Sequence, residues 1–297
     1  MKTSALSLLV GLFIISFSSA YAQEAPPPSP ETLPATMENP APAETEATLQ
    51  TDGDVKILEP ANSQPVGSFT SYYKKKSALI KATDGTNINM TYFWYEPETK
   101  PADGQTLPLV LVLHGSQGYA ESAYHLIKES VRGPYPAYIM VPALPQGHRW
   151  ADPGKLKPVH MLPDTITLMK KIMMENPIDP TRVYVMGCGT GGTGAYGAAQ
   201  LYSDLFAAAV PISTTWNHKE TDNMNKVAIA AFHGSEDEFF LPFNSSDTIT
   251  MVQRHGGTAF FTLFEGMKHD CNSANIYTPT LWQWLFSQKK TAAQPTP

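Results

Sequence analysis

The chain reads as an α/β protein, with a mostly parallel central sheet and helices on both faces. Three observations predict this. Leu107–Leu113 (LPLVLVL) is apolar throughout, as a strand covered on both faces requires. Apolar, β-rich runs alternate with stretches of helical period from there to the C-terminal region. At 182–194, RVYVMGCGTGGTG, a β-rich run breaks into five glycines among eight residues, and Ala195-Tyr196-Gly197-Ala198-Ala199 then continues as a helix.

In chain order, 70–82 and 88–95 are strand-like, and Asp84-Gly85-Thr86-Asn87 joins them as a hairpin turn. Leu107–Leu113 is a central strand that ends in His114-Gly115. Residues 122–130 form a short helix and 137–141 a second buried strand. Asp164 caps a helix running to Glu175, with Ile166, Met169, Ile172 and Met173 on one face. Pro177 and Pro180 end it before the strand that leads into the glycines. Residues 206–212 and 227–232 are further strands. A helix at 244–254 is closed by Gly256-Gly257, Ala259–Phe264 is a strand, and 279–289 is a C-terminal helix. The order strand, helix, strand favours right-handed crossovers and a parallel sheet.

Length and composition frame this domain. The 297 residues suffice for one large α/β domain. Residues 1–22 have the pattern of an export signal: Lys2, an apolar stretch over 5–17, and Ala20-Tyr21-Ala22 as a small-x-small cleavage site. Cleavage there implies a secreted or periplasmic protein. Residues 23–65 are rich in Pro, Ala, Glu and Thr and nearly free of aromatics, so they form a disordered acidic linker. The folded domain is expected over 66–290, with a disordered tail at 291–297. The formal charge is −6, and the linker alone carries seven acids before residue 56. The domain is therefore close to neutral, which gives no electrostatic case for nucleic acid or for a membrane after signal cleavage. The only cysteines, Cys188 and Cys271, are candidates for a bridge in an oxidising compartment. No Cys/His spacing argues for a metal.

Strand, tight glycine turn and helix is also the setting of the nucleophile elbow, G-x-S-x-G. Here the frame is Gly187-Cys188-Gly189-Thr190-Gly191, and the nucleophile position holds Gly189. Five segments occur in a telling order: LPLVLVLHGSQG, NPIDPTRVYVMGCGTGG, LFAAAVPIS, FHGSEDEFFLP and FEGMKHDC. On these the chain resembles the α/β-hydrolase family over about 107–289. The likeness is greatest to the secreted esterases and predicted peptidases related to dienelactone hydrolase and polyhydroxybutyrate depolymerase.

The resemblance implies an α/β-hydrolase fold with no cofactor. It also implies a triad acid at Asp237, a triad base at His269, and oxyanion donors in the backbone N–H groups of Ser116 and Thr190. Trp216 either faces a small-molecule or polymer ester-like ligand or is a core tryptophan, and Tyr119 and Trp150 are weaker candidates for the ligand face. His114 and His233 read as structural. The family's geometry brings the loops of Cys188 and Cys271 together, so a disulfide is expected; two buried free thiols are the alternative. Glycine keeps the turn and deletes the Oγ. The expectation is a hydrolase homologue with a degenerate Gly-Asp-His triad that retains a ligand cleft. Two other readings stay open. One is an active ester hydrolase using Cys188, Thr190 or a water activated by His269. The other is a scaffold whose acidic linker is the working part.

Overall fold

The computed structural model describes residues 69–290, apart from 83, 84, 99, 100, 117, 119, 156 and 158. The expected leader, linker and C-terminal tail lie outside the described residues, as do Asp84 of the hairpin turn and Tyr119. The strands are β1 (Lys74–Lys81), β2 (Asn87–Tyr95), β3 (Leu107–Leu113), β4 (Tyr138–Pro142), β5 (Ile178–Cys188), β6 (Ala208–Ile212), β7 (Ala228–Gly234) and β8 (Ala259–Phe264). They form one eight-stranded sheet in the order β1-β2-β4-β3-β5-β6-β7-β8. The β1–β2 and β2–β4 pairs are antiparallel, and every other pair is parallel.

Seven α-helices accompany the sheet: α1 (Phe69–Tyr72), α2 (Glu121–Leu126), α3 (Glu129–Arg132), α4 (Leu162–Glu175), α5 (Thr190–Leu201), α6 (Pro242–Arg254) and α7 (Pro279–Ser287). Two cores explain why the central strands are apolar at every position. Leu109, Leu111 and Leu113 of β3 and Val183 and Val185 of β5 pack with α4, α5 and α6 on one face. The alternate residues Val110, Val112, Tyr184 and Met186 pack with α2, α3 and α7 on the other. Side chains alternate across a strand, so a strand covered twice has no polar position. This is the α/β-hydrolase fold.

Three local expectations are corrected. Asp164 is not the cap of α4: the helix begins at Leu162, with Met161 as N-cap and Pro163 in the first turn. Proline has no N–H to lose there and its φ suits a helix, so it sets the start earlier than the acid does. Residues 122–130 form two short helices rather than one, because Lys128 takes an extended ψ of 139° between them. The first strand begins only at Lys74, since 69–72 turn as α1.

Candidate active site

The site is assembled where the C-terminal ends of β3, β5, β7 and β8 meet. Strand β5 runs straight into α5 through Gly189, which has φ 57° and ψ −123°. Such a backbone suits glycine and strains any residue with a Cβ. The flanking glycines answer a different need, close approach. A Cβ on Gly191 would lie 2.0 Å from the Leu113 carbonyl oxygen, and one on Gly187 would lie 2.3 Å from that of Gly191. The turn is pinned by its own backbone: the Gly189 N–H donates to the Ile212 carbonyl (3.0 Å), and the Gly189 carbonyl accepts from the Thr193 N–H (3.1 Å) and the Thr214 hydroxyl (2.6 Å).

Asp237 follows β7, with its side chain fully buried. Its Oδ1 accepts from the Phe239 N–H (2.9 Å) and the Phe240 N–H (3.0 Å). Its Oδ2 accepts from His269 Nδ1 (2.9 Å), and His233 Nε2 stands 3.2 Å away. Burial pushes the Asp237 carboxyl up, but the bonds from Phe240, His269 and Phe239 outweigh it and hold the group below the usual carboxylate range. Asp237 is therefore an anion at neutral pH. His233 also donates Nε2–H to the Phe240 carbonyl (2.9 Å), and its fully buried ring is pushed towards the neutral form by desolvation. It braces the acid loop.

With Nδ1–H committed to Asp237, His269 turns a bare Nε2 lone pair to the elbow. A Cβ placed on Gly189 would lie 3.5 Å from that Nε2 and 3.9 Å from the Phe240 ring. The Phe239 ring sits edge-on to His269 at 5.2 Å and is 72 % exposed. Cys188 and Cys271 are joined as a disulfide with Cα atoms 5.8 Å apart, which ties the histidine loop to the elbow. Cys271 Sγ stands 3.7 Å from His269 Nε2. Among the described residues the one set of potential metal donors drawn together is Cys188, His269 and Cys271. Glu121, at the start of α2, is held up by burial, and its charge interacts with His269 and Asp270.

Thr190 is the first residue of α5, so its N–H has no intrahelical acceptor. Its hydroxyl is buried without a hydrogen-bond partner among the described residues. Ser116 is exposed on the loop after β3. His114 steadies that loop: its Nδ1 donates to the Gly115 carbonyl (2.7 Å), and its Nε2 accepts from the Leu144 N–H (3.0 Å). The Trp150 indole donates to the His114 carbonyl (2.9 Å).

Trp216 stands elsewhere. It is 4 % exposed, donates its indole N–H to the Glu220 carbonyl (2.8 Å) and packs toward Tyr196 in the core under α5. Gly197 on α5 answers a close approach of Ala151 rather than of the indole: a Cβ there would lie 2.8 Å from the Ala151 Cβ but 3.5 Å, ordinary contact, from the Trp216 ring. The aromatics beside His269 are instead Phe239 and Phe240. Their signal was in the sequence, as the pair two and three residues after Asp237 in SEDEFFLP.

Sheet order, motif order and the Asp237–His269 pair give the chain the α/β-hydrolase fold with an acid–histidine pair at the place the fold keeps for one. The proteins it resembles are esterases, peptidases and other hydrolases. No family model matches the chain. It is 27 % identical over 212 residues to a poly(3-hydroxyalkanoate) depolymerase C of Paucimonas lemoignei, an alignment covering 58 % of this chain and 50 % of that protein. The chain thus spans about half the length of the curated relative it matches. Among solved structures, a thermostable esterase aligns with TM-score 0.65 at 23 % identity, covering 74 % of this chain and 64 % of that one. An S-formylglutathione hydrolase from Staphylococcus aureus aligns with TM-score 0.52 at 15 % identity, covering 72 % and 99 %.

Proposed function

We propose that this chain is an exported carboxylesterase- or peptidase-like α/β-hydrolase whose ester chemistry is impaired and whose cleft still binds an ester-like small molecule or polymer. One observation carries the reading. The acid and base are poised, and the vector from Gly189 points at His269 Nε2, yet no reactive atom stands on it. In a serine hydrolase, loss of the nucleophile costs roughly 10⁶ in kcat, while the backbone oxyanion donors and binding leave a residual of about 10³–10⁴ over water. The donors at Ser116 and Thr190 belong to the backbone, so the glycine does not remove them.

Of the displaced nucleophiles, Cys188 has its sulfur tied in the disulfide. Thr190 lies one residue beyond the apex, inside the helix. A water held by His269 is the second reading, because Nε2 is bare and the ring is 20 % exposed. The disulfide supports export, since such bonds persist in oxidising compartments.

Treatment of the wild type with a fluorophosphonate probe and chromogenic short-chain esters tests the reading. The expected result is no adduct at residue 189 and only slow hydrolysis, abolished in His269→Ala if a water is the nucleophile. Stoichiometric labelling of any residue at the elbow, together with turnover, contradicts it.

A further inference from the structure

The disulfide and His269 are neighbours, and that neighbourhood has chemistry of its own. The donor atoms of Cys188, His269 and Cys271 all lie within 4.8 Å of one another. Asp237 holds Nδ1 of His269, so the ring offers the Nε2 lone pair on the side of the sulfurs. A histidine that ligates a metal characteristically donates its other N–H to a carboxylate, and Asp237 is in that position. Two thiolates and one imidazole are a known donor set for Zn²⁺, with the fourth tetrahedral position left for water. Next to Nε2 the space in front of Gly189 is open where a side chain would stand. Cys271 and His269 are partly exposed, which leaves an entry path on that side.

We propose that the reduced chain holds one divalent soft-to-borderline cation, Zn²⁺ as the type, on Cys188 Sγ, Cys271 Sγ and His269 Nε2, so that disulfide and metal are alternative states of the same site. The exchange balances. A dithiol delivers two electrons and two protons to the Cys188–Cys271 bond and closes to its own cyclic disulfide, leaving two protein thiols. Binding of Zn²⁺ then displaces both thiol protons to solvent, and neutral His269 enters without losing one. The sulfur–sulfur bond breaks on reduction, and the sulfurs move apart by only the ångström or two that two Zn–S bonds of about 2.3 Å require. The inference does not depend on the proposed cleft or on any remaining ester chemistry, and its readout is metal rather than turnover.

The test uses the full chain, reduced anaerobically with a trialkylphosphine, which takes up the oxygen of water as the disulfide becomes two thiols. Zn²⁺ is titrated by equilibrium dialysis, and Co²⁺ in parallel for its thiolate-to-metal absorption and tetrahedral ligand-field bands. The expected result is one ion per reduced chain and none per oxidised chain. Asp237→Asn should weaken binding by about 10–100-fold, as loss of an outer-shell partner does. His269→Ala should weaken it at least as far. A reduced chain that stays folded by circular dichroism and takes up no ion overturns the proposal, as does equal uptake by the oxidised chain or by His269→Ala. If reduction unfolds the chain, Zn²⁺ should restore the native spectrum; failure to do so also overturns it.

Discussion

Gly189 carries φ 57°, on the side of backbone space that glycine enters at little cost and residues with a Cβ do not. Gly189→Ala should therefore lower stability by about 1–3 kcal/mol without creating activity, as chemical denaturation and an ester assay would show together. His233 offers a second residue-scale check. It gives its one N–H to the Phe240 carbonyl and the Asp237 carboxylate in a buried place. His233→Phe should cost about 1–3 kcal/mol by leaving those acceptors unmet, and should raise the Asp237 pKa measured by NMR titration. An unchanged Asp237 titration would contradict the bracing role. Asp237 and His269 were legible because each sits in a loop motif of fixed order after a strand. That His233 is structural was legible from its place before glycine at a strand end, but its partner Phe240 was not, because that carbonyl lies across a turn whose geometry no local pattern specifies. Of the two readings of Trp216 the core one holds, because its indole N–H is taken by the Glu220 carbonyl and its ring packs toward Tyr196, contacts that no local sequence pattern specifies.

The elements that carry the site are held by long-range ties. The disulfide spans 83 residues of sequence and fastens the loop after β8 to the end of β5. A Cys188→Ser, Cys271→Ser double variant should lose about 2–5 kcal/mol of stability. Amide exchange should quicken in 265–272 before it does in β5. Equal loss of protection across both segments would argue against a local staple. A second tie runs from α2. His125 accepts from Lys128 at Nδ1 (3.0 Å) and donates Nε2–H to Asn272 (2.8 Å), while its ring stacks on Tyr277 at 3.9 Å. Burial, with the Lys128 charge adding to it and the Asn272 bond opposing, brings the ring's pKa down to about 4. A depressed histidine takes its proton first in the unfolded chain, so stability is full above about pH 6.5 and falls between there and pH 4. The loss is on the order of 3 kcal/mol. His125→Gln should flatten that slope in urea melts at pH 7 and 4.5; a slope unchanged by the substitution would assign the loss to other groups. The strands and long helices were readable from periodicity, whereas the break at Lys128 and the start of α4 at Leu162 turned on single backbone conformations.

At the scale of the molecule, the sheet decides how much of the site survives the glycine. Strands β3, β5, β6, β7 and β8 run parallel, and the ends of β3, β5, β7 and β8 place Ser116, Thr190, Asp237 and His269 without help from the side chain of residue 189. Truncating this scaffold is costly: Leu111→Ala, at a position with no exposed surface, should lose about 2–5 kcal/mol. Changing the apex should leave it standing. On the proposed reading one missing atom separates this chain from a working serine hydrolase, and Gly189→Ser is the decisive variant. The introduced Cβ falls 3.5 Å from His269 Nε2, within range for its Oγ to reach hydrogen-bonding distance. Gly189→Ser should show measurable hydrolysis of small soluble esters and a fluorophosphonate adduct at residue 189, both absent from Gly189→Ser with His269→Ala. A folded Gly189→Ser protein that hydrolyses esters no faster than that double variant would contradict that reading.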